Sequence, residues 1–247
     1  MQEREIVNQR KTAILALWLA PAALVILGQA LITLAAFIPP PSPNASADEI
    51  AAMFRENAIG IRLGMILFMF CGTMLAPITA IYCLMIKKIE GRAGVLTYTQ
   101  LVTGTIALVL FIPPSVIWSV AAFRPDRAPE MILMLNDMGW LFFIMTVPPG
   151  VLQVLVLGMA ILKDKRATPL IPRWVGYMNL WAALVLSPGG LAAMFKAGPF
   201  AWNGLITFWI ALPVFGTWWL LMFIYCLKAV RGGAFDDPGQ GAAREAS

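Results

Sequence analysis

The stretch GWLFFIMTVPPGVLQVLVLGMAIL, residues 139–162, decides the fold. It exceeds the ~20 apolar residues that a helix needs to cross a bilayer and carries no charged side chain. Nor does it alternate apolar and polar residues as a transmembrane strand would. Five further stretches read the same way: 12–38, 61–86, 95–123, 174–195 and 204–227, with Arg62, next to an end, as the sole charge among them. The expected fold is an all-α polytopic membrane protein of six transmembrane helices, arranged as three consecutive up-down hairpins. Residues 1–231 are expected to form one domain, and the Gly-rich polar tail 232–247 to be disordered.

Composition agrees. Of the 247 residues 60% are hydrophobic and 13% charged, against about 45–50% and about 25% in soluble domains. There is no histidine, so His-based catalysis and His-ligated metal or haem are closed to the chain acting alone. Basic residues set the orientation. Thirteen of the 18 fall on one side, around Arg10, Lys11, Lys87, Lys88, Lys163, Lys165 and Lys228; Arg55, Arg62, Arg124, Arg127 and Lys196 fall on the other. Both termini are expected to be cytoplasmic, in a bacterial inner (plasma) membrane. The basic balance then reflects membrane orientation and contact with lipid head groups, not nucleic acid. The apolar run after Lys11 is longer than a signal-peptide core and reads as a retained first helix. Cys71, Cys83 and Cys226 lie inside spans and read as packing residues.

Short matches between hairpins suggest an internal repeat: Ala35-Ala36-Phe37, Ala121-Ala122-Phe123 and Ala192-Ala193-Met194-Phe195 at the outer ends, with Ile81-Tyr82-Cys83-Leu84 against Ile224-Tyr225-Cys226-Leu227. Ala-rich apolar sequence also produces such matches by chance. Asn57, Asn136 and Asn203 stand where chains re-enter the membrane, which predicts side-chain N-caps. Residues 48–54 read as a short amphipathic helix on the outer surface. Trp118, Trp140, Trp174 and Trp202, close to span ends, fit interfacial belts.

Every span holds an interior proline: Pro21, Pro77, Pro113-Pro114, Pro148-Pro149, Pro188 and Pro213. Each removes a helical hydrogen bond, so most helices are expected to be kinked. Ser115, Thr146, Ser187, Thr79 and Thr217 are at hand to satisfy freed carbonyls. Interrupted helices mark substrate sites in transporters, and the position of these prolines predicts a cavity opening outward.

No charge lies near mid-span, which argues against proton coupling, voltage sensing and self-sufficient catalysis. The neutral polar residues there include Gln29, Gln100, Gln153 and Asn179. The expected function is therefore binding or transport of a hydrophobic small molecule or lipid, without a cofactor or metal. Gln100, Gln153 and Asn179 would orient the ligand beside Pro113, Pro114, Pro148 and Pro149. An outer polar cluster of Glu56, Arg124, Arg127 and Asp137 is the charged candidate site, although helix-dipole stabilisation also explains its acids. The alternative function is a membrane anchor, scaffold or permease subunit with a partner protein, for which the basic segment 163–174 offers a docking surface.

Overall fold

The computed structural model describes residues 2–233, with no side-chain description for 2–6 or Leu108; the tail beyond 233 lies outside the described residues. Every regular element among them is helical. The helices are α1 (Gln2–Gly28), α2 (Ala47–Glu56), α3 (Ala58–Thr73), α4 (Leu75–Glu90), α5 (Val95–Ile106), α6 (Ile112–Phe123), α7 (Pro129–Met145), α8 (Pro148–Lys163), α9 (Arg173–Leu186) and α10 (Ala211–Arg231). Wider π-helical turns extend α1 over Gln29–Leu34 and precede α10 over Leu205–Ile210. Tighter 3-10 turns cover Ala107–Leu110 and Ser187–Met194.

Five continuous or nearly continuous helices are long and apolar enough to span a membrane: Val7–Leu34, Ala58–Glu90, Pro129–Lys163, Arg173–Met194 and Leu205–Arg231. That makes the chain a multi-pass membrane protein by length and composition. The expected third span departs from this. Residues 95–123 divide into α5, a 3-10 turn and α6, and neither helix is long enough by itself. Thr105 and the proline pair bracket the division, and a prolyl nitrogen cannot donate to the carbonyl four residues back.

Prolines occupy an instructive place. Pro21 sits within α1, but Pro77, Pro113, Pro114, Pro148, Pro149 and Pro213 all lie in the first turn of a new α-helical segment. There the missing N–H has no intrahelical partner to lose. Three of the five hydroxyls that were expected to rescue freed carbonyls instead bond on their own helices. Ser115 donates to Phe111, Thr146 to Phe142 and Ser187 to Ala183, one residue away from or outside the carbonyls that the prolines release. The Ile144 carbonyl, released by Pro148, faces the bare side of Gly189, whose ideal Cβ position is 3.1 Å from that oxygen.

Consecutive helical columns touch and the ring closes on itself. Columns α1, α3–α4, α5–α6, α7–α8, α9 and α10 each contact the next, and α10 returns to α1. An Arg10 guanidinium donates to the Arg231 carbonyl at this closure. Small residues permit the closest approaches. Gly60 and Gly64, four apart on α3, lie against the Leu34 and Ala30 carbonyls of the π turn, as small-xxx-small spacing allows.

None of the three asparagines caps a helix with its side chain. Asn57 precedes α3 but sends its Nδ2 to the Leu34 carbonyl at 2.8 Å, closing the end of the first column instead. Asn136 is inside α7, which begins at Pro129, and Gly204 stands before the turn at Leu205. The true capping box is on α2, where Ser46 and Glu49 exchange hydrogen bonds with each other's backbone. That helix is amphipathic, with Ile50, Ala51 and Phe54 buried against the bundle. Three ties hold the loops on this side: Asn44 Nδ2 to the Lys196 carbonyl (2.9 Å), Trp202 Nε1 to the Pro41 carbonyl (2.9 Å) and Arg55 Nε to the Pro125 carbonyl (3.1 Å).

The expected tryptophan belt is largely core. Trp118 and Trp140 are fully buried, with ring centroids 5.1 Å apart, and Phe37 packs at 5.0 and 5.8 Å from them. Trp202 is buried as well, and of the four only Trp174 is exposed. The repeat motifs likewise part company: Tyr82 is buried facing Trp218, whereas Tyr225 packs edge-on to Trp174 beneath Lys228.

Candidate binding cavity

A cavity of about 120 Å³ lies at the centre of the ring. For scale, an engineered apolar cavity of ~150 Å³ takes up benzene. Its walls come from all six columns, and they come from the interruptions. Leu27 precedes the π turn of the first column, and Leu75 and Ile78 flank Pro77. Leu110 and Phe111 precede Pro113, Val147 and Gly150 bracket Pro148-Pro149, Leu186 and Gly189 bracket Pro188, and Leu212 precedes Pro213. A continuous α-helix presents an even ridge of side chains. Where the ladder stops and restarts, the ridge is displaced and space opens beside it.

The lining contains no Asp, Glu, Lys or Arg. Its polar side chains are Thr79, Tyr82, Gln153, Thr207 and two tryptophans. Thr207 donates to the Ala201 carbonyl, and the Trp218 indole donates to Asn179 Oδ1 at 2.8 Å. Thr79 and Gln153 are buried and have no hydrogen-bond partner among the described residues. Tyr82 Oη and Trp219 Nε1 are buried and likewise unpaired.

The sequence candidates separate on this geometry. Gln153 lines the cavity. Gln100 is fully buried, one turn before Gly104 on α5, with both amide atoms unpaired. Asn179 is occupied: its oxygen holds Trp218, and its nitrogen donates to the Val175 carbonyl at 2.8 Å and Met222 Sδ at 3.5 Å. Gln29 is exposed on the first column. Pro113, Pro114, Pro148 and Pro149 are not themselves in the wall; their neighbours are. In the sequence Tyr82 stands out only as part of a repeated motif and Thr79 only as a partner for a proline-freed carbonyl, and neither Trp219 of the wall nor Gly104 beside it is singled out. A glycine between threonines on a polar helix face was the available signal for Gly104.

Glu56, Arg124, Arg127 and Asp137 form no ion pair with one another. Arg127 instead donates to the Val120 carbonyl at 2.7 Å, which closes the end of α6. Asp164 pairs with Arg166 at 2.8 Å. Asp164 also accepts from the Leu170 and Arg166 backbone N–H groups, at 2.9 and 3.2 Å. Burial alone would raise its carboxyl, but these hydrogen bonds outweigh burial and hold it below the ordinary value. The segment 163–174 is thus a folded loop, and part of its basic charge is engaged internally. Among the described residues no three or more Cys, Asp or Glu converge in a way that could hold a metal ion.

The fold and cavity define an all-helical, multi-pass membrane protein with a central apolar cavity. No protein-family model, curated protein or solved structure matches this chain.

Proposed function

We propose that the protein binds or carries a neutral hydrophobic small molecule or lipid in its central cavity, crossing a bacterial inner membrane six times with both termini cytoplasmic. The observation that carries this reading is the cavity, ring-sized, uncharged and bounded by every column at its interruption. Such sites are concave and mostly apolar, with a few polar groups that fix orientation. Gln153 supplies one of these groups. Asn179 acts through Trp218, and Gln100 stands behind the wall. Six crossings are supported by the ring contacts of the divided column 95–123, since irregular backbone at membrane depth is tolerated where protein covers it. The excess of Lys and Arg on the side of both ends supports the orientation.

Gly150 offers a direct test, because an added Cβ there meets nothing within 4 Å. Mass spectrometry of organic extracts from natively purified protein should find a hydrophobic compound enriched with the wild type and depleted in Gly150→Leu. Identical extracts from the two proteins would sink the proposal. A stoichiometric second protein in the same preparation would favour the anchor or permease-subunit alternative.

A further inference from the structure

We propose that the cavity recognises an oxygen atom: its ligand carries a neutral hydrogen-bond acceptor of the carbonyl type, bound by the Thr79 hydroxyl and the Gln153 amide at the end of the cavity nearer the basic side. This inference rests on the binding function proposed above and names the ligand class.

The wall is polarised along the columns. On α4, Leu75 lies farther from Lys87 than Thr79 and Tyr82 do; on α8, Val147 and Gly150 lie farther from Lys163 than Gln153 does. On α10, Leu212 and Phe215 lie farther from Lys228 than Trp219 does. At one end of the cavity the lining is apolar but for Thr207, whose hydroxyl is engaged by the Ala201 carbonyl, and the end towards the lysines carries the polar groups that have no partner. A molecule that fits has a matching asymmetry, an apolar body and one polar atom.

Two of those groups converge. From the ideal Cβ position of Gly104 on α5, Thr79 Oγ1 is 2.7 Å and Gln153 Nε2 is 3.1 Å away. The absent side chain lets α4 and α8 pack close on α5 and sets a hydroxyl and an amide, both of which line the cavity, near each other at one spot of its wall. Thr79 is 3% exposed and Gln153 8%, and neither has a partner. A buried polar group without a partner costs free energy, which a bound acceptor recovers. It is the amide nitrogen that faces this spot, and an amide nitrogen donates. The nearby unpaired Trp219 Nε1 can only donate as well. The Thr79 hydroxyl, the Gln153 amide nitrogen and the Trp219 indole all offer donors here, and a carbonyl oxygen with two lone pairs accepts from two of them. A carboxylate would also accept, but no cation lines the cavity to offset the burial of its charge.

Acetophenone and isopropylbenzene have nearly the same shape and differ in the carbonyl oxygen. Their saturable uptake by the full chain in nanodiscs, with uptake by empty nanodiscs subtracted, separates the two levels of the argument. Acetophenone should bind about tenfold more tightly than isopropylbenzene, as expected of one to two net hydrogen bonds. Thr79→Val and Gln153→Leu should each reduce that preference to within about twofold while isopropylbenzene still binds, and Thr79→Ser should keep it. Equal affinities in the wild type, or a preference that survives both substitutions, would overturn oxygen recognition and leave the hydrophobic cavity standing. Saturable binding of neither probe would overturn the cavity's binding function, and this inference with it.

Discussion

Asn179 and Gln153 are both amides in apolar helices, yet their surroundings give them opposite energetics. Asn179 joins α9 to α10 by accepting from Trp218, which is itself buried. Asn179→Leu would orphan that indole N–H, at a cost of about 1–3 kcal/mol. Gln153 has nothing to orphan among the described residues, and Gln153→Leu replaces an unpaired polar group with an apolar one of similar size. Its effect on stability should lie within about 0.5 kcal/mol of zero or be favourable. Thermal unfolding in detergent, followed by tryptophan fluorescence, should show a clear fall in Tm for the first variant and none for the second. Equal falls would mean that Gln153 is structural glue. Sequence alone marked both residues by the same property, polarity inside an apolar run. What separates them is the partner, and Trp218 is 39 positions from Asn179.

At the scale of elements, a local hydrogen-bond knot folds the loop between α8 and α9. The Asp164 carboxylate receives the Arg166 guanidinium through two bonds of 2.8 Å, together with two backbone N–H groups. Its folded value lies below the ordinary 3.8. The ionised form is thus preferred in the folded loop, and the stabilisation is present above the unfolded value and lost as pH falls through the folded one. Amide exchange protection within 164–172 should accordingly hold from neutral pH down to about 4 and collapse only below it. In Asp164→Asn the protection should be low throughout and lack that acid transition. A wild-type loop that opens at pH 5 to 6 would contradict this account. The apolar spans were legible because apolar runs carry them locally, whereas most of the prolines, which read as interior kinks, stand in the first turns of new helical segments. The caps were not: Asn57 has the right residue type and place, but the Leu34 carbonyl at the end of the preceding column competes for its side chain and wins. Trp118 and Trp140 likewise sit near span ends in sequence, and the tertiary cluster around Phe37 buries them.

For the whole molecule, the proposal of six crossings turns on the column 95–123, which is apolar enough in sequence but broken at Ala107–Leu110 and again at Phe111. Its contacts support that proposal. The α5 half packs on α4 and α8, and the α6 half packs on α3 and α7, so it runs the length of two long neighbours. The break falls where Leu110 and Phe111 enter the cavity wall. A broken helix survives at membrane depth where protein covers the break or where it lines a cavity. A column that crosses puts Arg92 and Arg124, exposed at its two ends, on opposite faces of the membrane. With Cys71, Cys83 and Cys226 replaced by alanine, Arg92→Cys should react with a membrane-impermeant maleimide only after the cytoplasmic face is opened. Arg124→Cys should react in intact cells, as should Ser42→Cys, while Lys165→Cys should follow Arg92→Cys. Labelling of Arg92→Cys and Arg124→Cys from the same face would leave five crossings, put the two termini on opposite sides, and remove one wall of the cavity from membrane depth.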